Sequence, residues 1–158
     1  MDNTEALLRQ IADRSAIMEA KAAYCRYADC LDIEGMLSVF TADCEFRFGP
    51  GDDVIVGTDG IRDWYQLEVG RTEASLHMVS NFEIDFISPD RARSRCALHS
   101  WKRFRDRADD RHRYVHYVDE WVRTDAGWKQ ARLEYLVIGE TGSETTRGRE
   151  HLEASRAA

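Results

Sequence analysis

The sequence predicts an α+β domain, with helices packed on one face of a curved sheet. Three observations predict it. Apolar residues recur at helical spacing through the first third of the chain. Period-two alternation takes over from about His77 and persists to Ile138. Asp/Gly-bearing turns separate the alternating runs, which is the signal of hairpins. A chain of 158 residues, 43% hydrophobic and 32% charged, is long enough to bury one core without staples.

The helices come first. Asn3 or Thr4 can cap the N-terminus, with Glu5 in the first turn where an acid favours the helix dipole. Ala6, Leu7, Ile11 and Ala12 follow at helical spacing. A second stretch starts near Asp13 or Ser15, and Ile17, Met18, Lys21, Ala22, Tyr24, Cys25, Ala28 and Leu31 fit one broad apolar face. Ile33 to Phe40 reads as a short helix with Met36, Leu37 and Phe40 inward.

The period then changes. Cys44 to Phe48 alternates like a strand, residues 49–53 are a loop by their Gly, Pro and Asp content, and Val54-Ile55-Val56 is a second strand. A helix from about Gly60 to Val69 carries Ile61, Trp64, Tyr65 and Leu67. Antiparallel strands follow. His77 to Ile87 sets Met78, Ser80, Phe82, Ile84 and Phe86 on one side. Ala92 to Phe104 sets its even residues inward and its arginines outward. Tyr114 to Arg123, the turn Asp125-Ala126-Gly127 and Trp128 to Ile138 form the last hairpin. Residues 1–138 read as one domain. Residues 139–158 read as a polar tail, mobile or packed on a neighbouring subunit.

Composition excludes several functions. Lys plus Arg is 22 and Asp plus Glu is 29, a net charge of −7, so no nucleic-acid partner is expected. No apolar run is long enough for a membrane span, and the acidic, polar start MDNTEALLRQ is not a secretory signal, so the expected location is cytoplasmic. Cys25, Cys30, Cys44 and Cys96 form no CxxC pair, which predicts reduced thiols and no metal. Eight arginines and Lys102 lie between Arg91 and Arg113. An anion-binding surface is one reading, but alternation and the acidic total favour a solvated strand face. Trp101 with His99 on that face suggests a subunit interface, so a homodimer or homotrimer is expected.

Two residues carry candidate chemistry. Asp32 lies beside the apolar stripe near a helix end, where a carboxylate is either a helix-end feature or a site residue. His77 opens a strand. A carboxylate on one ring nitrogen of a histidine fixes the tautomer and leaves the other nitrogen to act as general base or acid. Spacing alone does not pair them.

The ordered set Tyr27-x4-Asp32, Thr41-Ala42-Asp43-Cys44-Glu45-Phe46, Gly57-x3-Ile61, Leu76-His77-Met78-Val79-Ser80-Asn81 and Gly127-Trp128-Lys129 resembles the SnoaL-like branch of the nuclear transport factor 2-like superfamily over roughly residues 10–138. The resemblance implies a cone: a strongly bent antiparallel or mixed sheet wrapped around the N-terminal helices, enclosing a pocket. Within the superfamily the chain resembles scytalone dehydratase, bile acid 7α-dehydratase and hexachlorocyclohexane dehydrochlorinase. That implies a cofactor-free lyase for a small apolar cyclic substrate, with His77 as base, Asp32 orienting it and Tyr27 donating to substrate. The implied pocket wall is Phe48, Trp64, Cys96, Leu98, Tyr117, Leu133, Tyr135 and Val137. The scytalone enzyme's second histidine and substrate tyrosine fall on Cys96 and Phe48, and the dehydrochlorinase's cation falls on Leu133. The electrophilic partner is therefore unassigned. Three rivals share the fold: an isomerase or polyketide cyclase, a ring-hydroxylating dioxygenase small subunit that needs an iron-bearing partner, and a non-catalytic module. The last predicts no hydrogen bond between Asp32 and His77.

Overall fold

The computed structural model describes residues 3–49, 54–141 and 153–157. The elements are α1 (Asn3–Asp29), α2 (Ile33–Ser38), β1 (Phe40–Arg47), β2 (Val54–Val56), α3 (Gly57–Arg71), β3 (Thr72–Ser88), β4 (Arg91–Phe104), β5 (Arg111–Thr124) and β6 (Gly127–Glu140). The sheet has six strands in the order β2-β1-β6-β5-β4-β3. β1 runs parallel to β6 and every other neighbouring pair is antiparallel. The sheet is mixed and curled but not closed, and α1 lies along its concave face. This is the expected α+β cone.

α1 is one helix of 27 residues, not two with a break near Asp13. Asp13 and Ser15 do not cap because their side chains are engaged elsewhere. Asp13 accepts from Trp128 Nε1 at 3.0 Å and Arg123 at 2.6 Å, and Ser15 donates to Glu19. The helix start buries little: Leu7, Leu8 and Ile11 are all more than half exposed. α2 ends at Ser38, so Phe40 opens β1 rather than closing a helix. The expected loop at 49–53 lies mostly outside the described residues.

The even residues Ala92, Ser94, Cys96, Leu98 and Ser100 of β4 are buried, as alternation predicts. β3 departs from strict alternation. It begins at Thr72, and between Ser80 and Glu83 it carries one residue more than β4 does between Ala97 and Arg95. Asn81, at φ +56°, sits in this bulge, in the left-handed region that asparagine tolerates. The bulge flips the phase. Before it, Ser75, His77 and Val79 face inward; after it, Phe82, Ile84 and Phe86 do. Met78 and Ser80 are therefore exposed, contrary to the single alternation read from the sequence.

The interior holds two apolar clusters. The larger gathers Tyr24, Met36, Phe46, Ile61, Tyr65, Cys96, Leu98, Tyr117 and Leu133; the smaller gathers Ile17, Ile84, Ala92, Trp121 and Trp128. In the interior Lys21 Nζ stands 2.9 Å from Asp119 Oδ2, with both side chains fully buried. Lys21 also sits 3.5 Å from the centroid of the Tyr117 ring, and Gln130 donates to Asp119 at 2.6 Å. β6 continues to Glu140. Residues 153–157 are helical and pack on the chain's own sheet: His116 Nδ1 meets Ser155 Oγ at 2.7 Å and Arg95 donates to the Ser155 carbonyl. His151 lies outside the described residues. No helix is long and apolar enough to cross a membrane among those described.

Candidate active site

The site begins where α1 ends. Cys30 N–H still bonds the Arg26 carbonyl, Leu31 N–H reaches back to Ala28 and Asp32 N–H to Tyr27. The last two bonds form the Schellman pattern, with Leu31 at the left-handed position glycine usually takes. Its φ is +57°. The chain thus turns sharply after Asp29, and Asp32 becomes the N-cap of α2. Its side chain accepts the Gly35 N–H at 2.9 Å.

That turn separates the two carboxylates. Asp32 belongs to the cap and is not the partner of His77, which corrects the expected pair. The carboxylate on His77 is Asp29, in the last turn of α1. Asp29 Oδ1 is 2.7 Å from His77 Nδ1, and Oδ2 accepts the His77 backbone N–H at 3.1 Å. Ser75 ties the same helix end by donating to the Ala28 carbonyl at 3.2 Å. A carboxylate only accepts, so Nδ1 carries a proton, and in the neutral imidazole Nε2 carries the lone pair. The His77 side chain is 8% exposed and Asp29 is 21% exposed.

His77 lines a cavity of about 150 Å³, the order of size that admits a single aromatic ring. Phe48, Trp64, Tyr117 and Tyr135 line it, joined by Tyr24, Phe46, Tyr65, Leu31 and Met36. The rings of Phe46, Phe48 and Trp64 pack with centroids 4.9–5.4 Å apart. Cys96, Leu98 and Leu133 lie in the core cluster, with Val137 against it, instead of in the cavity wall. Their side chains are spent on packing between the sheet and the helices.

Tyr27 does not line the cavity either. Its ring covers α2: a Cβ on Gly35 would come within 2.3 Å of Tyr27 Cδ1. The α1 tyrosine that lines the cavity is Tyr24, one turn earlier. Its hydroxyl accepts from Tyr65 Oη at 3.0 Å, which leaves its own proton to donate. Burial pushes the phenols of Tyr24, Tyr65 and Tyr117 well above their ordinary value, so all three stay neutral donors.

The cavity wall carries charge that the alternation argument had assigned to solvent. Lys102, Arg111 and Arg113 line the cavity with Glu68. Lys102 Nζ is 3.4 Å and Arg111 is 4.0 Å from Glu68 Oε2, and Arg113 pairs with Glu140. Burial, reinforced by Arg111 and Arg113 and opposed by Glu68, holds Lys102 below the ordinary amine value. The external reading does hold for Arg91, Arg93 and Arg103, which are more than half exposed. His99 is also external, stacked on Tyr114 and 3.1 Å from His112. Among the described residues, no three His, Cys, Asp or Glu side chains converge as a metal site.

The model of one protein family, described as a SnoaL-like domain, matches residues 9–134. No curated protein matches the chain. Several crystal structures share its fold. One, described as a candidate scytalone dehydratase from Novosphingobium aromaticivorans, is 25% identical, with a TM-score of 0.80 over 87% of this chain and 91% of that one. A second from the same organism, described as a candidate aromatic ring hydroxylase, is 29% identical, with a TM-score of 0.79 over 84% and 94%. A hexachlorocyclohexane dehydrochlorinase from Novosphingobium barchaimii is 20% identical, with a TM-score of 0.75 over 88% and 97%. The dehydrochlorinase supports the fold alone.

Proposed function

Because the chain belongs to the SnoaL-like domain family, within the nuclear transport factor 2-like fold, we propose that it is a lyase, a dehydratase or related eliminase, acting on a small cyclic substrate. The observation that carries this reading is the Asp29–His77 pair facing a cavity of one-ring size. Dehydratase-type neighbours in the same fold support the reaction class.

The chemistry follows from the pair. His77 Nε2 takes a proton from a ring carbon next to an acidifying group. The C–H electron pair becomes the new C=C bond, and the group on the adjacent carbon leaves with its own bonding pair. A departing hydroxyl takes up a proton, from Tyr24 or from the imidazolium, and leaves as water. Asp29 holds the imidazole in the productive tautomer and faces the positive charge that develops on it. Aromatic walls exclude bulk water and strengthen both effects.

His77→Ala is expected to lose about 10²–10⁴ of turnover, the usual worth of a positioned general base. Mass spectrometry should show a product lighter than substrate by one water or one hydrogen halide. A product of unchanged mass would move the protein to the isomerase or cyclase reading, and full turnover in His77→Ala would remove the mechanism.

A further inference from the structure

The cations in the cavity wall have no role in the elimination just described, and their arrangement is costly. Lys102 and Arg111 are direct cross-strand partners on the inner face of β4 and β5. Like charges placed opposite one another destabilise a sheet. Arg113 lies two residues further along the same face of β5. Their side chains are only 19%, 15% and 26% exposed, so solvent screens them incompletely.

The local carboxylates do not balance them. Glu68 is shared by Lys102 and Arg111 and also takes Arg71 at 3.8 Å. Glu140 is held by Arg113. Arg71 is also met by Asp106, so the four cations Arg71, Lys102, Arg111 and Arg113 face the three carboxylates Glu68, Asp106 and Glu140, which leaves one positive charge over. Arg111 is the least satisfied. Among the described residues its guanidinium makes no hydrogen bond, and it lies over the Phe104 ring at 4.6 Å, which leaves the donor edge of the planar fork open.

The three cations lie close to His77 on the sheet. His77 pairs across to Ser100, and Ser100 to Arg113; in the next row Ser75 pairs to Lys102, and Lys102 to Arg111. Strands lie about 4.8 Å apart, so His77 and Arg113 are roughly 10 Å apart at the backbone, on one concave face. Phe46, Phe48, Trp64, His77 and the three cations line one cavity, so a ring held among the aromatic side chains has both His77 and the cations within its surroundings.

We propose that the substrate is a single-ring carboxylic acid, apolar apart from its reacting substituents, whose carboxylate is bound by Arg111, Arg113 and Lys102. This deepens the lyase reading and rests on it for the term substrate, but the binding site itself stands on the cavity and its charges. One unbalanced positive charge selects a monoanion over a dianion. A carboxylate also matches the two-pronged geometry of a guanidinium. The carboxylate fixes which ring carbon meets His77, so it acts as an anchor for orientation.

The test is calorimetric binding of three probes of one ring each: benzoate, its neutral isostere benzamide, and the dianion phenyl phosphate. Benzoate is expected to bind about tenfold or more tightly than benzamide, which is about 1.4 kcal/mol. Arg111→Gln should remove most of that preference while leaving benzamide binding unchanged. Lys102→Met serves as a second variant should Arg111→Gln lose its fold by circular dichroism. Equal binding of benzoate and benzamide, or a preference that survives both substitutions, overturns the proposal, as does the absence of saturable binding by any probe at millimolar concentration. Tighter binding of phenyl phosphate overturns the choice of carboxylate. Each arm reads binding and none reads turnover, so failure of the elimination chemistry would leave these results standing.

Discussion

Asp29 holds His77 at two points, with one carboxylate oxygen 2.7 Å from the ring Nδ1 and the other 3.1 Å from the backbone nitrogen. The ring is thereby fixed in both tautomer and direction, because the backbone bond sets where the strand sits and the ring bond sets how the imidazole turns. Asp29→Asn is expected to lower turnover by about 10²–10⁴, since an amide can present a donor to Nδ1 and favour the wrong tautomer. Nitrogen-15 NMR of the imidazole checks this directly: Nδ1 should carry the proton in the wild type and cease to do so in the variant. Asp32→Ala is the control. It should cost about 1 kcal/mol of stability as a lost N-cap and leave turnover in place. Reversal of the two phenotypes would restore Asp32 as the partner.

The Lys21–Asp119 pair lies in the interior with no exposure on either side chain. Lys21→Met leaves Asp119 buried without its counter-charge, with only neutral partners such as Gln130 and Ser94, and should cost about 3–5 kcal/mol. The double variant Lys21→Met with Asp119→Leu should recover much of that loss, because neither charge then remains to be desolvated. Urea midpoints for the two single variants and the double variant form the cycle. Additive losses would mean the two residues do not act as a pair.

Thiol reactivity should separate the cysteines cleanly. Burial pushes Cys25 and Cys44 to about 11 and Cys96 to about 12, so none carries appreciable thiolate at neutral pH, and the thiolate is the reactive form. Cys30 alone is exposed. An aromatic disulfide reagent at mildly alkaline pH should titrate one thiol in the native protein and four after unfolding. Fast reaction of a second thiol would show that α1, β1 or β4 opens locally under native conditions.

Asp13 links stability to acid. Burial alone would raise its carboxyl, but hydrogen bonds from Arg123 and Trp128 and the Arg123 charge outweigh it and hold the group below the ordinary carboxylate value. A depressed folded value means the contribution is fully present above the unfolded value and is lost as pH falls through the folded one. Melting temperature should therefore drop less steeply below about pH 4 in Asp13→Asn than in the wild type. Parallel curves would show that Asp13 binds its proton alike in both states.

Much of this protein was determined by sequence alone, because much of its structure is local. Helical spacing and period-two alternation follow from which face of an element must leave water, so the α+β class, the inward even residues of β4 and the β5–β6 hairpin were all legible. What sequence alone left open was a choice between equivalents. Tyr-x4-Asp occurs twice in the run from Tyr24 to Asp32, as Tyr24–Asp29 and as Tyr27–Asp32. The two copies are three residues apart, so composition and spacing do not tell them apart. Tertiary structure decided between them through the left-handed turn at Leu31, which keeps Asp29 on the helix facing β3 and turns Asp32 into a cap for α2. The cations were hidden for a related reason. Lys102 is even in β4 and Arg111 and Arg113 are odd in β5, yet they share a face, because inter-strand register sets which parity points inward and register is a property of the closed sheet. The bulge at Asn81 turned His77 inward by the same logic. Each of these outcomes depends on one residue of phase, which only packing between distant segments can set.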